Sequence, residues 1–174
     1  MRRKLLITAL AAVLSVAPVA PALAAATYSN GTATANFNVT LTLSANCLIS
    51  ASPLSFGSST ALTTAINQQT TVVVTCTTST PYNVGLDGGT VTGSTVTNRL
   101  LAGTSTGNTN TTLSFQLYQN AAMTTIWGNT QATNTVGGTG TGSAQSLTVY
   151  GQVPTQTAPK PDTYQTTVTA TVFF

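Results

Sequence analysis

"TATANFNVTLTLSANC", residues 32–47, alternates almost without a break: Ala33, Ala35, Phe37, Val39, Leu41 and Leu43 fall on one side, and Thr34, Asn36, Asn38, Thr40 and Thr42 on the other. A period of two marks a strand, whose successive side chains point to opposite faces. An apolar face of this kind must lie against a core. Periodicity does not say whose core it is: the first strand of the chain's own sheet and a ribbon given to another molecule share the pattern.

Upstream, "MRRKLLITALAAVLSVAPVAPALAAA" has a basic start at Arg2, Arg3 and Lys4, an apolar run from Leu5, Pro18 and Pro21, and the small-residue site Ala22-Leu23-Ala24. This reads as a secretory signal peptide over residues 1–24, cleaved near Ala24. A membrane anchor would need a longer apolar span, and no later segment could cross a bilayer. About 150 residues remain, enough for one domain with a sizeable core.

Removing the leader changes the electrostatics. The formal net charge of +3 and the pI of 9.1 come from Arg2, Arg3 and Lys4. The rest of the chain holds Arg99 and Lys160 against Asp87 and Asp162, which balance. A nucleic-acid partner, or an acidic membrane surface, would require clustered Lys and Arg that this domain lacks. With only 4% charged residues, the polar surface is made of Thr, Ser, Asn and Gln. Such a surface suits a subunit packed into an assembly better than a free monomer. The 41% hydrophobic content, arranged in alternating runs, argues against disorder.

Two cysteines, Cys47 and Cys76, in an exported chain read as one disulfide formed in an oxidising compartment. Closing a loop of about 30 residues contributes roughly 3 to 4 kcal/mol in the chain-entropy model. A metal site is the alternative reading, weakened by the absence of His.

Downstream, "QTTVVVTCTT", "PYNVGLDGG", "TLSFQLYQ", "TTIWGN", "QSLTVYGQVP" and "YQTTVTATVFF" read as strands separated by Gly, Ser, Thr, Asn and Pro. No segment carries the 3.6-residue period of a substantial amphipathic helix. The expectation is an all-β sandwich. Tyr164, Val168, Ala170, Val172 and Phe174 share one face at the C-terminus. A final strand this apolar needs a neighbour on both sides, and if the chain supplies one strand too few, the sandwich has an open groove.

Catalytic chemistry is nearly absent, and no catalytic, cofactor-binding or metal-binding residue is assigned. There is no His to serve as general base. The two carboxylates, Asp87 and Asp162, both sit in turn sequences, where backbone hydrogen bonding is their ordinary role. "GGTGTG", residues 137–142, lacks the following helix of a dinucleotide fingerprint and reads as a flexible turn. Trp127, Tyr118 and Tyr150 are candidates for a sugar-binding platform, although aromatics scattered in a sandwich more often pack inside it.

Taken in order, "NCLISASPLSFGSST", "VVVTCTTSTPYNVGLDGG", "LSFQLYQNAAMTTIWGN", "VYGQVP" and "YQTTVTATVFF" resemble the spore coat protein U domain. This is the domain of subunits in Csu-type (archaic) chaperone-usher pili of Gram-negative bacteria. Thr163 and Gln165 depart from the family habit of a Gly shortly before the final Tyr and an acidic residue just after it.

The resemblance implies an incomplete immunoglobulin-like β-sandwich over residues 45–174, completed by a donor strand from a neighbouring subunit. The N-terminal segment 25–44 would be that donor, with Ala33, Ala35, Phe37, Val39 and Leu41 on its inserting face. The Cys47–Cys76 disulfide and a groove wall at Tyr164, Val168, Ala170, Val172 and Phe174 complete the implied site. Implied partners are identical or related pilin subunits in a head-to-tail polymer, a periplasmic chaperone and an outer-membrane usher. The implied function is a structural subunit of a surface pilus supporting adhesion and biofilm formation, in transit through the periplasm, and a shaft or adaptor subunit more readily than a tip adhesin. A secreted polysaccharide- or surface-binding module, or a coat protein, is the alternative.

Overall fold

The computed structural model describes residues 31–174, so the expected export signal lies outside the described residues. The chain divides after Leu41 into two units. In the first unit, residues 31–41 form neither strand nor helix. Phe37, Val39 and Leu41 are 84%, 84% and 83% exposed. The alternating pattern is therefore present without a ladder: these residues have strand chemistry and no strand partner among the described residues.

The second unit, Thr42–Phe174, is all-β. Its strands are β1 Cys47–Ala51, β2 Ile66–Cys76, β3 Pro81–Leu86, β4 Arg99–Gly103, β5 Thr112–Tyr118, β6 Val136–Thr139, β7 Ala144–Val153, β8 Tyr164–Gln165 and β9 Ala170–Phe173. One sheet has the order β1-β2-β7-β5-β4-β8 and the other β6-β3-β9, with every pairing antiparallel. The β2–β7 ladder runs from Ile66↔Val153 to Thr75↔Ala144 and forms the spine of the larger sheet. Its inward positions, Val72, Val74, Val149 and Val153, are buried, and β-branched side chains pack well there. Phe115 and Leu117 of β5 and Tyr82, Val84 and Leu86 of β3 close the core between the sheets.

The structure corrects the expected strand list at four places. "TTIWGN" is not a strand: it makes one isolated bridge, Tyr118↔Ile126. Trp127 instead turns inward, 1% exposed, with its Nε1–H donating to the Val84 carbonyl at 2.8 Å. That burial also removes Trp127 from any sugar platform. The expected turn at 137–142 begins inside β6, whose Tyr82↔Gly138 pairing needs a residue without a side chain. A Cβ on Gly138 would lie 2.5 Å from the Tyr82 ring. The short strand β4, "RLLAG", has too little alternation to stand out in sequence. Finally, the C-terminal run is two strands. β8 pairs with β4 in the larger sheet and β9 with β3 in the smaller one, so the chain changes sheets across residues 166–169.

Cys47 and Cys76 are disulfide-bonded, joining the first residue of edge strand β1 to its partner at the end of β2. Replacing both with Ser is expected to lower unfolding stability by about 3 to 4 kcal/mol. The check is urea denaturation of the full chain. A shift of the midpoint with the far-UV β signal retained before the transition is the expected outcome.

Candidate functional site: an open groove beside the C-terminal strand

A cavity of about 1040 Å³ opens along one side of the sandwich. One wall is the end of β1 and the segment after it, residues 51–62, and the other is the segment 158–170. The floor is apolar, with Val72, Leu86, Phe115, Leu117, Val149 and Val153 among its residues. Leu54 and Phe56 of the first wall are only partly buried against this core, and the Phe56 ring meets Phe115 edge-on at 6.3 Å.

The second wall keeps a period of two. Asp162, Tyr164, Thr166, Val168 and Ala170 are half-buried, and the residues between them are exposed. Tyr164, Val168 and Ala170 line the cavity. Val172 packs against the core from β9, and Phe174 is 59% exposed. Neither Val172 nor Phe174 lines the cavity. Phe174 lies beyond the end of β9, where no ladder holds it.

Across residues 166–169 one main-chain bond and several side-chain groups take the place of a regular ladder. Asp87 N–H donates to the Thr169 carbonyl at 3.1 Å, and Thr169 N–H donates to Asp87 Oδ1 at 2.9 Å. Thr167 N–H donates to Thr90 Oγ1 at 3.3 Å, and Thr90 N–H to Thr166 Oγ1 at 3.1 Å. Asp87 also accepts from Gly89 N–H at 2.9 Å, closing a turn in which Gly89 has φ +89°, a left-handed conformation that suits glycine.

Beneath this clasp lies Arg99, a residue sequence reasoning counted only as a charge. It is fully buried. Its guanidinium donates to the carbonyls of Asp87 (2.9 Å), Val96 (3.1 Å), Leu86 (2.8 Å) and Trp127 (2.7 Å), and to Gln116 Oε1. Burial lowers its pKa to about 10, partly offset by the charge of Asp87. Arg99 therefore remains charged at neutral pH. A planar fork with five N–H donors is the one side chain that can satisfy so many carbonyls at once. The signal for it was present: a lone Arg inside "NRLLAG" in a chain with almost no charge has no solvent role to explain it. Replacing Arg99 with Met would leave these acceptors unpaired, and a loss of at least about 3 kcal/mol is expected in denaturant unfolding.

At the other end of the wall, Asp162 accepts from Asn108 Nδ2 (2.6 Å), Ser105 N–H (3.0 Å), Ser105 Oγ (2.7 Å), Thr104 Oγ1 (3.3 Å) and Thr163 N–H (2.7 Å). The Asn108 bond, followed by those of Ser105, holds its pKa well below the usual carboxylate range. Asp87 and Asp162 thus serve separate anchors and do not pair as an acid and base. No group of three or more His, Cys, Asp or Glu that could hold a metal ion occurs among the described residues. Tyr118 and Tyr150 stand opposite each other across β5 and β7, both half-buried.

A depressed carboxylate contributes stability that is present above its unfolded pKa and is lost as pH falls through the folded value. The loop 104–108 is therefore expected to stay anchored at neutral pH and to loosen progressively below about pH 4. Amide exchange at Ser105, followed from pH 6 to pH 3 with correction for intrinsic rates, checks this. Asp162→Asn should flatten the dependence.

These features define a class of protein: an immunoglobulin-like all-β sandwich with an apolar groove beside its final strand. Residues 33–171 match the family model described as Spore Coat Protein U domain, and the chain belongs to that family. None of the curated proteins matches the sequence significantly. Among solved structures, the fold is similar to a chain in the crystal structure of the CsuC–CsuE chaperone–tip adhesion subunit pre-assembly complex from archaic chaperone-usher Csu pili of Acinetobacter baumannii. The identity is 24% and the TM-score 0.51, and the match covers 75% of this chain and 40% of that chain.

Proposed function

We propose that this protein is a structural subunit of a chaperone-usher surface pilus, joined to its neighbours by donor-strand complementation. The observation that carries the proposal is the conjunction of an unladdered segment, Thr166–Thr169, with an apolar groove of about 1040 Å³ beside it. Family membership and the likeness to a pre-assembly complex of Csu pili support the same reading. Residues 33–41 have the form of the missing strand: an apolar face of Ala33, Ala35, Phe37, Val39 and Leu41, with the last three exposed.

In this reading residues 1–24 direct export, residues 25–44 form the donor, and residues 45–174 form the acceptor sandwich. A periplasmic chaperone holds the groove until the usher passes the subunit to the growing fibre at the cell surface. Main-chain hydrogen bonds to the edge give the joint its strength, and alternate side chains entering the groove give selectivity. Burying Phe37, Val39 and Leu41 fully, with the two alanines, yields on the order of 6 to 10 kcal/mol before entropy costs. Donor and groove are different surfaces, so the contact is head-to-tail and extends into a filament. The role is one of assembly and not of catalysis.

A second reading, a secreted glycan-binding module, finds support in the Tyr118–Tyr150 cross-strand pair. Deleting residues 26–40 separates the two. Under strand donation the wild-type chain runs as a ladder of multimers in unheated denaturing gels, and the truncated chain runs as a monomer. Multimers unaffected by the deletion would overturn the proposal. A wild-type monomer retained on a glycan column would favour the second reading.

A further inference from the structure

We infer that Asp87 is a positioning residue for the groove edge: its carboxylate, seated on Arg99 through the backbone, holds Thr166–Thr169 as a preformed template for an incoming strand. The inference rests on the strand-donation reading and adds a device to it. Between β8 and β9 the chain leaves one sheet for the other, so residues 166–168 have no ladder, and Thr169 keeps one main-chain bond, from Asp87 N–H to its carbonyl. In an extended chain, neighbouring residues turn their N–H and C=O groups to opposite lateral sides. The N–H groups of Thr167 and Thr169 point to the 87–90 turn, where Thr90 Oγ1 and Asp87 Oδ1 accept them. Those of Thr166 and Val168 face the other way, and no described residue pairs with them. Val168 lines the cavity, while the Thr166 hydroxyl accepts from Thr90 N–H and so adds to the clasp on the turn side. One side of the segment is thus occupied and the other is free, as an acceptor edge requires.

Turn formation alone does not account for Asp87. Closing its turn takes only the bond from Gly89 N–H, whereas the bond from Thr169 reaches across 82 positions of sequence. The backbone that carries this carboxylate is also fixed from below. Arg99 Nε donates to the Asp87 carbonyl at 2.9 Å, and Nη2 to the Leu86 carbonyl at 2.8 Å. Without this anchor, residues 166–169 would have to be ordered at the moment of joining, an entropic cost that falls on the association step.

The test uses the full chain, refolded from denaturant, with two measurements: the rate at which denaturant-resistant multimers appear, and hydrogen exchange at the Thr169 amide. Asp87→Asn keeps an oxygen for both N–H donors and is expected to match the wild type. Asp87→Ala is expected to slow multimer formation about tenfold, the worth of one ordinary hydrogen bond, and to speed exchange at Thr169 by a similar factor. Thr90→Val, read at the Thr167 amide, carries the same test if Asp87→Ala does not fold. Wild-type multimer rates in the Ala variant, or unchanged exchange at Thr169, would overturn the inference. A wild-type chain that forms no multimers would instead defeat strand donation itself, while the exchange measurement would still decide whether Asp87 holds the edge.

Discussion

A strand edge beside an apolar cavity has two unmet needs at once: main-chain hydrogen bonds and apolar side chains to fill the space. Water can satisfy the first but not the second. At the C-terminal segment of this protein both needs occur together, along residues 166–169 and the cavity lined by Val168 and Ala170. An alternating ribbon answers both, because one lateral side of a strand supplies N–H and C=O groups while one face supplies side chains.

The distribution of charge fits this demand. Beyond Arg2, Arg3 and Lys4 the chain has four charged residues, and three of them are structural anchors. Arg99 ties the turn after β3 to β5 through Gln116 and to Trp127, Asp87 ties that turn to the C-terminal segment, and Asp162 ties the start of the same segment to the loop after β4. Lys160 reaches the Gly107 carbonyl at the surface. The charges thus act as internal fasteners where the backbone leaves its ladders, and threonine, serine and amide side chains are left to face water. Such fasteners are costly to bury alone, and each here is met by several partners.

Strand chemistry was legible in the β-branched run of β2 and in the alternation of β5 and β7. It failed where the local pattern was short or carried by glycine. In β6, Gly137 and Gly138 look like a turn until Tyr82 is seen lying against them. At "TTIWGN" the β-branched and aromatic content suggested a strand, but the size of Trp127 and its one N–H favour a buried position against Val84 over a place in a ladder. Of the residues that line the cavity, Tyr164, Val168 and Ala170 lie in a C-terminal run whose shared face was visible in the sequence. The facing wall at Leu54 and Phe56 could not be read, because two apolar residues in a loop carry no period.

By itself the sequence determined the all-β class, the pairing of the only two cysteines, the neutrality of the domain and the presence of an apolar ribbon near its start. These depend on composition and on neighbours a few positions apart. The tertiary structure alone decided that the final strand changes sheets, that Arg99 is buried and that Asp87 reaches Thr169. Each of those is a contact between residues distant in the chain, and local periodicity holds no information about which distant carbonyls a folded backbone will bring to one guanidinium.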